Sequence, residues 1–164
     1  MLKDVLQCNL DVVFCGTAKG TLSVMKGFYY AAKGNQFYHI LHKAGFTSNL
    51  LIPAECYKIN QYSIGLIDLV HNQHGNDNEI DETNYDVDTF SNKIKIFKPK
   101  IVAFNGKKAA AFALGYQGKT KHVNYGEQNQ MIGESKLFVL PSTSGSARRF
   151  WDESHWFELK KCYG

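Results

Sequence analysis

Four short apolar runs punctuate the chain, and each ends at a glycine, a proline or a polar residue. They are "DVVFCG" (11–16), "YSIGLIDLV" (62–70), "KIVAFNG" (100–106) and "SKLFVLP" (135–141). Apolar runs of this length, bounded by turn residues, are typical of strands buried inside a sheet. Gly65 inside the second run weakens that strand, because glycine has no side chain to pack.

Between these runs the apolar positions follow the period of a helix. In segment 35–46, four residues have the i, i+3, i+4, i+7 spacing of one buried helical face: Phe37, Ile40, Leu41 and Ala44. The same reasoning predicts a short helix beginning at Pro53, a helix with Val87, Phe90, Ile94 and Phe97 on one face, an alanine-rich helix over 107–116, and a last helix with Ala147, Phe150, Trp151 and Phe157 on one side. Segment 17–35 reads as a loop with at most one helical turn, and segment 71–86 as a flexible polar loop.

Strands that alternate with helices predict an α/β fold, a three-layer sandwich around a central, mostly parallel sheet. The length of 164 residues predicts a single domain spanning 1–164. Ligands of such folds bind beyond the carboxyl ends of the strands. Three loops of this sequence fall there: "CGTAKG", "FNGKKA" and "LPSTSG".

Composition narrows the class of protein. The chain is 44% hydrophobic with a net charge of +4, which allows a polyanionic partner without requiring one. No apolar run approaches the ~20 residues of a membrane helix, and the first residues do not resemble a signal peptide. We therefore expect no membrane partner and a cytoplasmic location, nucleoid-associated in a bacterium. The four cysteines have no CxxC spacing, which predicts free thiols and no zinc or iron–sulfur site.

Common enzyme motifs are missing from the sequence. "GTAKG" is not the GxGxxG of a dinucleotide-binding fold, and no GxxxxGK[ST] phosphate loop occurs. The serines of "STSGSA" lack the GxSxG context of a hydrolase nucleophile, and HExxH does not occur. These absences argue against a nucleotide hydrolase and against a serine hydrolase.

Five segments, taken in order, resemble the uracil-DNA glycosylase superfamily. They are "VVFCGTAKG", "GFYYAAKGNQFYHILHKAGFT", "SIGLIDLV", "IVAFNGKKA" and "VLPSTSGSARRF", and they cover most of the chain from Asp11 to Phe150. The resemblance is closest to the mismatch-specific uracil/thymine and hypoxanthine-type branches. It implies a DNA glycosylase that flips a damaged or mismatched base out of DNA and hydrolyses its N-glycosidic bond. No metal or cofactor is expected, and we expect the protein to be a monomer.

The resemblance assigns a base pocket to the first two segments. Gly16, Thr17 and Ala18 would form one wall, where Gly16 and Gly20 supply a turn that lets the base approach the backbone closely. Tyr30 would stack on the flipped base, an interaction of about 1–3 kcal/mol. Two simpler interpretations stay open: an ordinary strand-to-loop turn, and core positions for Tyr29 and Tyr30.

Asn35 and Asp68 are the candidate catalytic residues. Asn35 matches a family asparagine that follows the stacking aromatic, although it also fits a helix cap. Asp68 could orient water and stabilise the cationic sugar, or it could be a surface or capping aspartate. The family's water-binding asparagine is replaced by Ala18 and its following proline by Lys19, so the mechanism of the mismatch-specific branch does not transfer.

The last segment and Lys19 are the candidate contacts to DNA. In the family, the loop after this strand enters the minor groove. The predicted phosphate contacts are Lys19, Ser142, Thr143, Ser144, Arg148 and Arg149. The simpler interpretation is a capped helix with a solvated basic turn.

The function predicted from the sequence is excision of a deaminated base of the uracil or hypoxanthine type. Two alternatives remain. Ala18 favours a catalytically silent domain of the same fold that binds nucleic acid. The modest net charge leaves open an α/β enzyme that acts on a small metabolite.

Overall fold

The computed structural model describes residues 2–163, and its centre is a five-stranded sheet. The strands are β1 (Val12–Gly16), β2 (Ile64–Asp68), β3 (Ile101–Asn105), β4 (Gly126–Ile132) and β5 (Ser135–Leu140). Their spatial order is β2-β1-β3-β5-β4, with β4 antiparallel to β5 and every other pair parallel. The α/β fold with a mostly parallel sheet is therefore confirmed.

Five α-helices connect and cover the strands. They are α1 (Thr21–Lys26), α2 (Phe37–Lys43), α3 (Val87–Phe97), α4 (Lys107–Ala113) and α5 (Ser154–Lys161). The longest of several 3₁₀ helices spans Pro53–Tyr62. Asp86 ends the polar loop and caps α3, because its carboxylate accepts a hydrogen bond from the Thr89 N–H at 3.0 Å.

The alternation of side chains along each strand builds two cores, one on each face of the sheet. In β1, Val12 and Phe14 point to the face covered by α2, the 53–62 helix and α5. Val13 and Cys15 point to the opposite face, which α3 and α4 cover. Both faces are buried, which explains why these strands read as continuous apolar runs.

Two segments differ from the sequence-based expectation. Strand β4 was not predicted, because its residues GEQNQMI are polar and lie at an open edge of the sheet. The predicted last helix is wrong in its extent and its face: residues 145–150 form a 3₁₀ helix, and α5 begins only at Ser154. Trp156 and Leu159 are the buried residues of α5, whereas Phe150 is 55% exposed.

The polar loop after β2 is more ordered than the sequence suggested. It contains two short 3₁₀ helices, Asp77–Glu79 and Glu82–Asn84, and packs against the turn that follows β1. The loop predicted before α2 contains α1. Within residues 2–163 no helix combines the length and the apolar character required to cross a membrane.

Candidate functional site

The carboxyl ends of the parallel strands bring the predicted motifs to one edge of the sheet. The turn 17–20 follows β1, Asp68 and Asn105 are the last residues of β2 and β3, and loop 141–144 follows β5. Segment 30–36 lies against that last loop, because the Gln36 N–H donates to the Thr143 carbonyl at 3.0 Å. The topology therefore assembles Gly16, Tyr30, Asn35 and Asp68 at one edge, as the sequence predicted.

The surroundings of Gly16 leave no space for a side chain. A methyl group on its Cα would lie 2.7 Å from Asp68 Oδ1 and 3.6 Å from Tyr30 Oη. The first distance is shorter than real Cβ contacts, so any larger residue would displace Asp68. No atom lies within 4 Å of the equivalent position at Gly20, so of these two glycines only Gly16 is closely surrounded.

A buried ion pair joins the turn after β1 to the end of β2. Lys19 Nζ lies 2.8 Å from Asp68 Oδ2, and the two side chains are 2% and 4% exposed. Among residues 2–163 neither atom has a further hydrogen-bond partner. The interpretation of Asp68 as a surface or capping residue is therefore wrong. The predicted phosphate contact of Lys19 is also incompatible with this position, because its ammonium group is inside the protein.

Tyr30 combines three unusual features. Its backbone has a φ of +53°, a conformation that non-glycine residues adopt rarely. Its ring stacks on Phe37 with a centroid separation of 4.0 Å. Its hydroxyl is buried without a well-formed hydrogen bond to any described residue. Strained backbone and unpaired buried polar groups concentrate at functional sites, which favours a role in binding.

The chemistry of this hydroxyl follows from its surroundings. Burial raises the pKa of Tyr30 well above its usual value, and the Asp68 carboxylate raises it further, while a hydrogen bond from the Asn105 side chain acts in the opposite direction. The phenol therefore stays protonated at neutral pH and can act as a hydrogen-bond donor. Tyr29, by contrast, is a core residue whose hydroxyl donates to the Lys3 carbonyl at 2.9 Å.

Replacing Tyr30 with phenylalanine is expected to leave the free energy of unfolding unchanged or to raise it. The substitution removes a buried hydroxyl that lacks a well-formed hydrogen bond, a group whose desolvation costs about 1–3 kcal/mol. Tyr29→Phe is the matched control, and it should lose about 1 kcal/mol with its hydrogen bond. Urea denaturation measures both. Equal destabilisation of the two variants would show that the Tyr30 hydroxyl is bonded in the folded protein.

Asn35 lies just before the N-cap residue of α2, Gln36, and keeps an amide group available. Its Oδ1 accepts a hydrogen bond from the Phe37 N–H, at the first residue of the helix, at 3.0 Å. Its Nδ2 makes no hydrogen bond to another described side chain or backbone group. The residue is half-buried at the edge of the site, so the Nδ2 amide remains a candidate donor to substrate or water.

Loop 141–144 is held by a residue that the sequence analysis overlooked. Asn105 donates from Nδ2 to Thr143 Oγ1 at 3.0 Å and accepts from the Thr143 N–H at 2.9 Å. Both residues are buried, so the predicted phosphate contact of Thr143 is also wrong. The signal that could have identified Asn105 is a polar residue ending the apolar run "KIVAF".

The other predicted DNA contacts lie nearer the surface. Ser142 and Ser144 are half-buried; Ser144 Oγ accepts from the Ser146 N–H at 3.3 Å and caps the 145–150 helix. Arg148 and Arg149 are exposed and make no ion pair with a described residue. The Arg149 guanidinium lies 4.7 Å from the centre of the Phe150 ring. These positions leave both arginines accessible to a phosphate.

The comparisons with known proteins decide the family. A model of the uracil DNA glycosylase superfamily matches residues 3–160. The chain belongs to the uracil DNA glycosylase superfamily. Its fold is also similar to the solution NMR structure of a Methanosarcina acetivorans protein provisionally described as a uracil DNA glycosylase, with a TM-score of 0.69, 24% identity, and coverage of 99% of this chain and 96% of the other. Membership supports a DNA glycosylase, a hydrolase that acts on DNA in base excision repair, as the general function.

Within this superfamily fold, the polar loop after β2 holds the turn after β1 in place. Thr17 Oγ1 donates to Asp77 Oδ1 at 2.6 Å, and the Gly75 N–H donates to the Lys19 carbonyl at 3.0 Å. Ala18, between these anchored residues, offers only a methyl group. Any polar group that binds water in this glycosylase must therefore come from outside position 18.

The site is closed in this structure. Tyr30 Oη and Asp68 Oδ2 have no exposed surface, so a base can reach them only after the surrounding loops move. Two cavities of this glycosylase lie elsewhere: one beside Lys100, Lys136 and Tyr163, at the amino ends of β3 and β5, and one between the first residues and the 53–62 helix. Among residues 2–163, no group of His, Cys, Asp and Glu side chains is arranged to hold a metal ion.

Proposed function

We propose that this glycosylase excises a deaminated base, of the uracil or hypoxanthine type, that has flipped out of DNA. The observation that carries the proposal is the convergence of Tyr30 Oη and Asp68 Oδ1 on Gly16, 3.6 Å and 2.7 Å from the place where a Cβ atom would lie. Enzymes of this kind recognise a flipped base by hydrogen bonds to its pairing edge. A donor beside an acceptor at a glycine is suited to such an edge.

The polarity of the two groups supports a deaminated base. The protonated Tyr30 phenol donates, and the Asp68 carboxylate accepts. Uracil and hypoxanthine present a carbonyl next to a ring N–H, which complements that pair. Cytosine and adenine present an amino group next to a ring nitrogen acceptor. In the same orientation, the amino donor would face the Tyr30 donor and the ring nitrogen acceptor would face the Asp68 carboxylate. The site would thus discriminate a base from its deaminated product.

The proposed reaction is monofunctional hydrolysis. As the base leaves, positive charge develops on the sugar, and water attacks C1′. Cleavage of the DNA strand by an amine would require a free, neutral lysine as nucleophile. Lys19 does not meet that requirement, because it is enclosed and paired with Asp68. Asn35, with an unbonded Nδ2, is the proposed positioner of water, a role that resembles the hypoxanthine-type branch.

The test is incubation with labelled oligonucleotides that contain uracil, hypoxanthine, xanthine or a mismatched thymine. We expect strand breaks at one or more of these bases after alkali treatment, and none without alkali. Breaks without alkali would contradict the monofunctional mechanism. A protein that binds DNA but excises nothing would favour the silent domain, and one that does neither would favour a metabolite enzyme.

A further inference from the structure

The net charge of +4 conceals a strongly basic segment. Residues 106–126 carry Lys107, Lys108, Lys119 and Lys121 and contain no aspartate or glutamate. We call these four lysines the basic tract.

The fold places the basic tract at the same edge as the glycosylase site. Helix α4 begins immediately after the carboxyl end of β3, which puts Lys107 and Lys108 beside Asn105. A methyl group on Gly118 would lie 2.7 Å from the Phe112 ring and 3.5 Å from Lys108 Nζ, so the chain packs back against α4. It reaches the carboxyl edge again at Gly126, which pairs with Val139 near the end of β5. Lys119 and Lys121 lie on this return path.

The charges of the basic tract are not neutralised. None of the four lysines forms an ion pair with a residue between 2 and 163, and Lys119 and Lys121 are exposed. Lys107 Nζ rests 4.3 Å above the Tyr125 ring, which orders the side chain without cancelling its charge. Some lysines elsewhere do form ion pairs: Lys93 pairs with Asp4, and Lys100 pairs with Asp11.

The opposite end of the same edge is acidic. The loop after β2, the edge strand, contains no lysine or arginine between residues 71 and 88. Its carboxylates are Asp77, Glu79, Asp81, Glu82, Asp86 and Asp88. The potential along the carboxyl edge therefore changes from negative at β2 to positive at β3, β5 and β4, with the site near the boundary.

We infer that the basic tract binds backbone phosphates of the DNA that flanks the flipped base, so that the duplex extends over the β3–β5–β4 side and away from the acidic loop. This inference rests on the proposed function, since it assigns the flanking DNA of the same substrate. Phosphate contacts position a protein on DNA without reading sequence. An array of unpaired lysines supplies such contacts, and the acidic loop disfavours DNA on its side.

The experiment compares three charge-matched double variants in binding an undamaged duplex at increasing salt. K107Q/K108Q and K119Q/K121Q each remove the charge of two of the four lysines, and glutamine keeps most of the aliphatic part of the lysine side chain. K100Q/K136Q is the control, because these adjacent lysines lie at the amino ends of β3 and β5, on the opposite edge. Each phosphate contact contributes about 0.9 to the slope of log affinity against log salt.

We expect each tract variant to lower that slope by about 1–2 and the control to leave it unchanged. Equal slopes for tract variants and control would overturn the inference. Lesion excision by the wild-type protein is measured separately. Excision together with unchanged slopes would support the proposed function and reject phosphate binding by the basic tract. Altered slopes in a protein that excises nothing would support the tract and reject the glycosylase activity.

Discussion

Replacing Lys19 with methionine is expected to lower the free energy of unfolding by about 3–5 kcal/mol, because the variant leaves the Asp68 carboxylate buried without a counter-charge. The ion pair spans 2.8 Å, and both side chains are almost fully enclosed. Removal of one partner therefore costs the full desolvation of the other. Urea denaturation followed by circular dichroism measures the loss.

Two further variants separate the buried charge from a general effect of losing a lysine. Lys43→Met breaks an exposed pair with Glu153, 2.8 Å apart, and should cost less than about 1 kcal/mol. Lys19→Met/Asp68→Asn removes both charges while keeping the shape of the side chain beside Gly16, and should recover most of the loss. If Lys19→Met and Lys43→Met were equally stable, the Lys19–Asp68 pair would not be buried in solution.

The apolar pattern predicted the parts of the fold that are buried on both sides. Strands β1, β2, β3 and β5 are continuous apolar runs because helices cover both faces of the sheet. Strand β4 escaped detection because its exposed polar residues leave no hydrophobic signal. For the last helix, the apolar residues of 147–157 suggested one continuous face, but the 3₁₀ helix ends at Phe150 and α5 begins only at Ser154, so the segment divides between them.

The sequence predicted those features of the site that follow from the order of the strands. Gly16 and Asp68 end neighbouring parallel strands, so their proximity follows from the sheet. The pairing of Lys19 with Asp68 did not follow, because a lysine in a glycine turn ordinarily faces solvent and its partner lies in a distant segment. Asn105 and Thr143 show the same limit: side-chain pairing across loops depends on rotamers and loop conformation, which periodicity does not encode.

The buried ion pair also changes how Asp68 must be tested. Asp68→Ala alone would leave the Lys19 ammonium buried without a counter-charge. The protein would then be destabilised for a reason unrelated to catalysis. The double variant Lys19→Met/Asp68→Asn avoids this, since no unpaired charge remains. If the carboxylate stabilises the sugar cation, this variant should fold and still lose activity.

Asn35→Asp is expected to fold normally and to lose about 10²–10³ in the rate of excision, the usual cost of removing one preorganised electrostatic group. Aspartate offers the same acceptor oxygen as asparagine, so the hydrogen bond from the Phe37 N–H at 3.0 Å can be kept. What aspartate lacks is the Nδ2 donor, the group proposed to position water. Asn35→Ala loses both, and should add about 0.5–2 kcal/mol of destabilisation to the same loss of rate. Single-turnover kinetics on the preferred lesion, with saturating protein, measure the rate of the chemical step separately from DNA binding. Thermal melting shows whether each variant is folded. If Asn35→Asp kept the wild-type rate while Asn35→Ala lost it, the asparagine would act through its hydrogen bond to the Phe37 N–H, by shaping the loop against Thr143. Asp68 would then be the candidate for holding the water, and the double variant at Lys19 and Asp68 should lose the rate while keeping that loop intact.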